Sequence, residues 1–192
     1  INITWKEWFA VKLKNKILYE LELKRGQDVS GQLLAEKFGV SRNAVWKAVK
    51  ELKSEGYRIS SVTNKGYRLE ASCDLLSAEG IASCLPEEYR DLDIFFFSEI
   101  DSTNNEAKRM LANGYRKNAV LLADCQTEGR GRKGRLFYSP PGTGIYMTFI
   151  FHPQTNITDF ILVTTAAAVA VVRAIKALTD KKPMIKWVND IF

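Results

Sequence analysis

Cysteine, histidine, proline and long apolar runs are all scarce in this chain of 192 residues. The three cysteines, Cys73, Cys84 and Cys125, are odd in number and widely separated, with no Cys-x-x-Cys. With His152 the only histidine, neither a disulfide framework nor a zinc site follows, no metal-ligating residues are expected, and a reducing cytoplasm is the natural setting. No Ser/His/Asp or Cys/His pairing is evident, which argues against chemistry through a protein nucleophile. The longest uncharged apolar stretch, residues 160–172, has 13 members, short of the roughly 20 a membrane helix needs. Trp5-Lys6-Glu7-Trp8 is amphipathic and unlike a signal-peptide core, so no membrane partner is expected. The first residue is Ile, and a trimmed N-terminus is expected.

Charge is plentiful but uneven. Residues 1–70 hold 14 Lys+Arg against 8 Asp+Glu, whereas residues 71–192 hold 14 of each, so the whole formal excess of +6 lies in the first third. That placement predicts a small nucleic-acid-binding module followed by a neutral domain. An apolar content of 46% is ample for packed cores in both. Residues 1–70 are assigned to the first domain, 71–76 to a linker and 77–192 to the second.

The most informative stretch is Gly129-Arg130-Gly131-Arg132-Lys133-Gly134-Arg135. Four cations interleaved with three glycines repel one another when empty, and such a loop is expected to be mobile. It suits an anion, because glycine frees backbone N–H groups to approach phosphate oxygens and guanidinium forks add bidentate contacts. The run satisfies G-x-G-x-x-G, but that dinucleotide fingerprint requires a helix next, and Tyr138-Ser139-Pro140-Pro141-Gly142 cannot start one. A solvated surface loop also shows such charge runs. The flanks favour binding: residues 119–123 and 144–151 read as two buried strands that the loop bridges.

In chain order, Trp8, Val11, Leu13, Ile17, Leu18, Leu21 and Leu23 predict a first helix running through Arg25 and stopped by Gly26. Ser30 caps a second over residues 31–38, with Leu33, Leu34 and Phe38 as apolar positions. Gly39-Val40-Ser41 then turns into a third over residues 42–54. Val45, Ala48, Val49 and Leu52 fall on one face of that helix; Asn43, Lys47 and Lys50 lie opposite, with Arg42 and Trp46 at the side. An amide and cations on the outward face suit a DNA major groove. Residues 57–62 and 67–69 form a hairpin around Thr63-Asn64-Lys65-Gly66, with Lys65 at its tip, completing a winged helix-turn-helix order. A three-helix protein-interaction module is the blander alternative.

Ser77 caps a helix through Leu85, which Pro86 breaks. A strand over residues 93–97 leads to Ser102, Thr103 and Asn104, which begin a helix ended by Gly114. Small polar residues at such a junction read as a plain N-cap or as a ligand-head site. A long helix is predicted over residues 160–178, with Leu162, Ala166, Val169, Val172, Ile175 and Leu178 on one face, and a single strand over residues 184–192 carrying Lys186, Asn189 and Asp190 toward its end. A domain does not normally stop where a polar trio arrives, so a fragment is expected.

Four separated stretches then agree with one family: Asp101-Ser102-Thr103-Asn104; Gln126 with residues 129–135; Ser139-Pro140 with Gly144-Ile145-Tyr146; and Lys186-Trp187-Val188-Asn189-Asp190. In this order behind a winged helix, they resemble the bifunctional biotin protein ligases that double as biotin-operon repressors. The resemblance covers essentially the whole chain. It implies an α+β fold, a winged helix-turn-helix domain followed by the mixed sheet and helices of a class II synthetase-like domain, incomplete here. It implies ATP, biotin and Mg2+ as cofactors, formation of biotinyl-5′-AMP, and transfer of biotin to a lysine of a biotin carboxyl carrier protein. A homodimer loaded with the adenylate would bind operator DNA through Arg42, Asn43, Trp46, Lys47, Lys50 and Lys65.

By position, Ser102, Thr103, Asn104 and Gln126 would contact the biotin head. Gly129, Arg130, Gly131 and Arg132 would fold over the adenylate, with Arg130 and Arg132 catalytic. Lys186, also catalytic, and Asn189 and Asp190 would lie toward the nucleotide. Val188 stands where the family usually has proline. Family members continue into a further biotin-contacting lysine, more of the sheet and a small C-terminal barrel, so residues 1–192 alone are expected to have little ligase activity and an exposed sheet edge. Two competing functions are a regulator that senses biotin or its adenylate without ligation, and a ligase that no longer binds DNA.

Overall fold

The computed structural model describes residues 12–62, 65–131, 135–152, 160–186 and 189–192. Trp8, Val11, Thr63, Asn64, Arg132, Lys133, Gly134, Trp187 and Val188 fall outside these ranges. Helix α1 (Leu13–Leu23) buries Ile17, Leu18 and Leu21, which the 3.6-residue period places on one stripe. Leu23, only two residues beyond Leu21, points away and is half exposed, so the stripe closes sooner than the run of leucines suggests. Gly26, at φ 79, then turns the chain.

Helix α2 (Gly31–Phe38) starts where the Ser30 hydroxyl accepts from the Leu33 N–H and ends at Gly39 in the left-handed conformation. Its buried residues are Leu34 and Ala35; Leu33 is 60% exposed, a departure from its predicted apolar-face position, because the side of α2 turned to the core is the one that carries Leu34 and Ala35. Helix α3 (Arg42–Ser54) is capped by Ser41 through the Ala44 N–H at 3.2 Å and buries Val45, Ala48, Val49 and Leu52, as its spacing predicts. These side chains pack with α1, Val29, Ile59 and Leu69 in one core. Burying an aliphatic side chain of this size stabilises by about 1.5–3 kcal/mol.

Strands β1 (Ile59–Val62) and β2 (Gly66–Leu69) pair antiparallel as the wing, Ile59 opposite Leu69 and Val62 opposite Gly66. Val29 bridges to Tyr67, donating to its carbonyl at 2.7 Å and accepting from its N–H at 2.9 Å, which ties the wing to the segment before α2. Arg68 grips Asp28 through two 2.8 Å hydrogen bonds beside this bridge.

Helix α4 (Ala78–Cys84) is capped by Ser77 through the Gly80 N–H at 3.0 Å and packs against α1. The contact is polar. Arg25 holds the Glu22 carboxylate through Nε at 3.0 Å and reaches the Cys73 carbonyl. The Asn15 amide meets the Glu79 carboxylate, and the Tyr57 phenol, pushed up to about 12 by burial, is hydrogen-bonded to Ser77. A Cβ on Gly80 would lie 3.2 Å from Glu22 Oε1, a tight fit that a larger residue could enter only by shifting the Glu22 side chain.

Burial raises the Glu79 pKa above its ordinary value of about 4.5, with the Asn15 hydrogen bond opposing. The folded state therefore binds this proton more tightly than the unfolded chain. Its contribution is fully present below about pH 4.5 and is lost as pH rises through the raised folded value. Urea unfolding of Glu79→Gln should accordingly show a smaller loss of stability between pH 4.5 and neutrality than the unsubstituted chain, as judged by the change in midpoint. Parallel profiles for the two proteins would contradict this assignment.

Strands β3 (Asp93–Ile100) and β4 (Ala119–Gln126) run parallel, joined by helix α5 (Thr103–Ala112), and β5 (Tyr146–Ile150) returns antiparallel to β4. Strand β4 reads as uninterrupted apolar because both faces are covered. Leu121 packs with Phe95 and Ala107 on the α5 side, and Val120 and Leu122 pack with Ile94 and Ala78 on the α4 side. Residues 144–151 are not the fully buried strand the sequence suggests. Strand β5 is an edge whose Phe149, opposite Val120, is 62% exposed, since α4 does not reach over it.

Residues 1–152 form one compact unit and residues 153–192 another. Within the second, α6 (Phe160–Leu178) packs on β6 (Ile185–Lys186) and β7 (Asp190–Ile191). The single strand expected over residues 184–192 is instead an antiparallel hairpin with Lys186 directly opposite Asp190, closed by Met184 and Phe192 exchanging backbone hydrogen bonds of 2.9 and 3.1 Å. Asn189 lies at its turn, a position that favours asparagine over strand continuation.

Candidate functional site

The carboxyl ends of β3 and β4 lie side by side, and the sequence-predicted polar residues gather there. Ser102 occupies the N-cap position of α5, but its side chain makes no cap hydrogen bond. The cap comes from Gln126 at the end of β4, whose Oε1 accepts from the Thr103 N–H at 2.9 Å and the Thr103 hydroxyl at 3.1 Å. Its Nε2 donates to Ser139 Oγ at 3.3 Å. The amide thus links the start of α5 to the far side of the loop, adding to the backbone bonds from Gln126, Thr127 and Glu128 that also hold the loop's base. The Ser102, Thr103 and Asn104 run is therefore not a self-contained N-cap, because an orphan helix N–H takes its acceptor from another strand.

Thr148 on β5 adds a group with no forecast from the sequence. Its hydroxyl lies 2.9 Å from both Thr103 Oγ1 and Asn104 Oδ1, and with one proton it can donate to only one at a time. Its signal was available: a lone hydroxyl in Tyr146-Met147-Thr148-Phe149-Ile150, on the same face as buried Ile150. Asp101 is held from below. Arg109 reaches its two oxygens at 2.7 and 2.8 Å, Asn105 donates at 3.1 Å, and together they hold the Asp101 carboxyl well below the usual carboxylate range, the Arg109 hydrogen bond contributing most. These three residues recur every four positions, which the helical period makes legible.

Beyond Gln126 the chain forms a small hairpin of its own. Gln126 bridges to Ser139 and Arg130 to Leu136; Phe137 N–H donates to the Gly129 carbonyl at 2.8 Å, and Gly131 N–H to that of Arg135 at 2.8 Å. Gly129 is buried where a Cβ would strike the Phe137 carbonyl oxygen and lie 2.6 Å from Ser139 Oγ, so the close approach of the two arms requires glycine. Arg130 is 61% exposed, 3.9 Å from Glu128, and carries its guanidinium into solvent next to this cradle. Arg132 lies outside the described residues. Lys186, Asn189 and Asp190 are exposed around the hairpin of the second unit.

Residues 96–192 match the biotin/lipoate A/B protein ligase family, and residues 14–68 match an HTH domain. The chain belongs to the biotin/lipoate A/B protein ligase family. It is 38% identical over 177 residues to the bifunctional ligase/repressor BirA of Bacillus spizizenii, covering 92% of this chain and 54% of the relative. With the bifunctional ligase/repressor BirA of Escherichia coli the identity is 28% over 170 residues, covering 88% and 51%. The chain thus spans about half the length of the curated relatives it matches. Among solved structures, the biotin protein ligase from Aquifex aeolicus in complex with biotin and ATP is 29% identical, covering 52% of this chain and 40% of that one, with a TM-score of 0.45.

In this ligase-family chain the helix-turn-helix part presents its own surface. Arg42, Asn43, Trp46, Lys47 and Lys50 are all exposed on α3, with Asn43, Lys47 and Lys50 opposite the buried Val45 stripe and Arg42 and Trp46 beside it. Lys65 is exposed on the wing, and Lys53 Nζ donates to Ser61 Oγ at 3.1 Å, fastening α3 to β1. Among the described residues no group of three metal-binding side chains occurs, and no helix is long and apolar enough to cross a membrane.

Proposed function

We propose that the intact protein is a cytoplasmic ATP-dependent biotin protein ligase that also represses a biotin operon. The observation that carries the reading is the Thr103–Gln126–Ser139 linkage. It holds a cluster of small polar groups at the ends of two parallel strands, beside a glycine cradle that opens into a cationic loop, in a ligase-family chain with an HTH domain. The proposed division is residues 1–70 for DNA, 71–76 as connector and 77–192 for ligation.

In the first step a biotin carboxylate oxygen bonds to the α-phosphorus of ATP as the bond to the β-phosphate oxygen breaks, and pyrophosphate leaves. Two anions must approach, and charge builds on the phosphoryl oxygens, so cations held in place supply most of the acceleration. Arg130 and Arg132 would neutralise that charge, with Gly129 and Gly131 letting backbone N–H groups close in. Ser102, Thr103, Asn104 and Gln126 would bind the biotin head, and their mutual hydrogen bonds hold donors and acceptors ready in fixed directions. Lys186, Asn189 and Asp190 would contact the nucleotide. In the second step a carrier lysine amine attacks the acyl carbon and AMP departs. No protein nucleophile is required in either step, in keeping with the lack of an evident nucleophilic pairing.

Mg2+ commonly binds through one or two carboxylates together with substrate phosphates, and exposed Asp190 fits such a sparse donor set. The metal would then accompany the ATP. The adenylate-loaded protein would pair as a homodimer and place α3 on operator DNA, with Arg42, Asn43, Trp46, Lys47, Lys50 and Lys65 as the contacts.

The test is pyrophosphate release on mixing the intact protein with biotin and ATP, followed by biotin transfer to a purified carrier domain. Both should occur, and DNA from upstream of its own gene should be retarded when the adenylate is present. Binding heat without pyrophosphate would instead mark a sensor that has lost ligation.

A further inference from the structure

Trp46 is an anomaly on the outer face of α3. That face is otherwise charged or amide-bearing, yet the largest apolar side chain available sits at its edge, 49% exposed. Helical geometry puts Arg42, Trp46 and Lys50 in one i, i+4, i+8 row, so the indole lies between two cations. Lys50 Nζ stands over the ring, 5.3 Å from its centroid, a cation–π contact that limits where the ring can turn. Val45 and Val49 fill the core beneath this face, and the indole is not among the residues of that core.

We propose that Trp46 is a specificity-determining residue that reads the C5-methyl of thymine in the major groove. The proposal rests on the reading of α3 as the DNA-contacting helix and assigns a chemical target within it. In the major groove, A·T and G·C edges present hydrogen-bond donors and acceptors, and the thymine methyl is the one apolar group on offer. An indole has a single donor and an extended apolar face, so it matches the methyl and is poorly matched to the other edges. Arg42, one turn before, would hold a phosphate and so fix the height of the ring above the base pairs, while Lys50 over the ring limits its orientation. Lys47 and Asn43 lie on the adjoining row and make the polar contacts.

The experiment uses the intact protein and the duplex it protects in a footprint of its own upstream DNA, prepared with thymine or with deoxyuridine throughout the protected stretch. Uracil keeps every hydrogen-bonding group and loses only the methyl. Wild type should bind the thymine duplex about fourfold more tightly per methyl contacted, the ratio that ~0.8 kcal/mol per buried CH₂ implies. Trp46→Ala should bind both duplexes equally, and Trp46→Phe should keep part of the preference. Because Trp46 is outside the core, the variants should still unfold in one cooperative transition, with only a modest fall in midpoint from the half-covered indole.

Lys47→Ala serves as the control: it should weaken binding to both duplexes and leave their ratio intact. If wild type ignores the methyls, or Trp46→Ala retains the preference while Lys47→Ala weakens binding, the Trp46 assignment is overturned and the DNA-reading helix stands. If no stretch is protected at all, both fall.

Discussion

Replacing Arg130 with alanine in the intact protein should lower biotinyl-adenylate formation by roughly 10²–10³-fold, the loss expected when one positioned donor to a developing oxyanion is removed. The guanidinium is 61% exposed and its nearest ion partner, Glu128, is 3.9 Å away, so its removal leaves no buried charge and the fold intact. The effect should therefore fall on kcat, with biotin affinity changed little, since the Thr103–Gln126 linkage that orders the proposed head-group site does not involve Arg130. Pyrophosphate release under saturating biotin and ATP measures this. Lysine at the same position should recover only a small part of the rate, because an ammonium cannot supply a planar fork of two parallel donors. A variant that released pyrophosphate at the wild-type rate would remove Arg130 from the chemistry.

A second large effect is expected at Gly66, where the backbone sits at φ 111. An alanine Cβ there would run into the Val29 carbonyl oxygen and lie 2.8 Å from Ser30 Cα, both backbone atoms that cannot rotate aside. The conformation alone costs roughly 1–3 kcal/mol for a side-chain-bearing residue, and the overlap costs a similar further amount. The Val29–Tyr67 bridge should open, moving the wing away from α2. Gly66→Ala should thus abolish DNA retardation while leaving a folded protein that still makes adenylate. Wild-type DNA affinity in this variant would mean that the wing takes no part in binding.

The local features of this chain are those legible in its letters. Ser30, Ser41 and Ser77 cap helices as predicted, because a cap needs only the next three residues, and the Val45–Leu52 stripe follows from period alone. The links that assemble the candidate site are not local. That Gln126 caps α5 depends on β3 and β4 running parallel in one particular register, and no spacing within either segment reports that. The Asp101, Asn105, Arg109 series was readable from its four-residue repeat, whereas Thr148 becomes meaningful only once β5 lies against β4. The strand expected over residues 184–192 is misread for a related reason. Ile185 and Ile191 alternate well enough for one strand, but Asn189 offers a turn, and pairing the ends through Met184 and Phe192 satisfies backbone groups that a lone strand leaves open.

The α1–α4 contact bears on how occupancy of one half could be felt in the other. Arg25 ties the Cys73 carbonyl to Glu22, Tyr57 is bonded to Ser77, and Gly80 packs closely beside the Glu22 carboxylate. The N-terminal helices are therefore joined to the sheet by packed contact as well as by the connecting chain. A displacement of α4, which lies against Val120 and Leu122 of the strand that ends in Gln126, would be felt directly at α1 and, through the core that α1 shares with it, at α3.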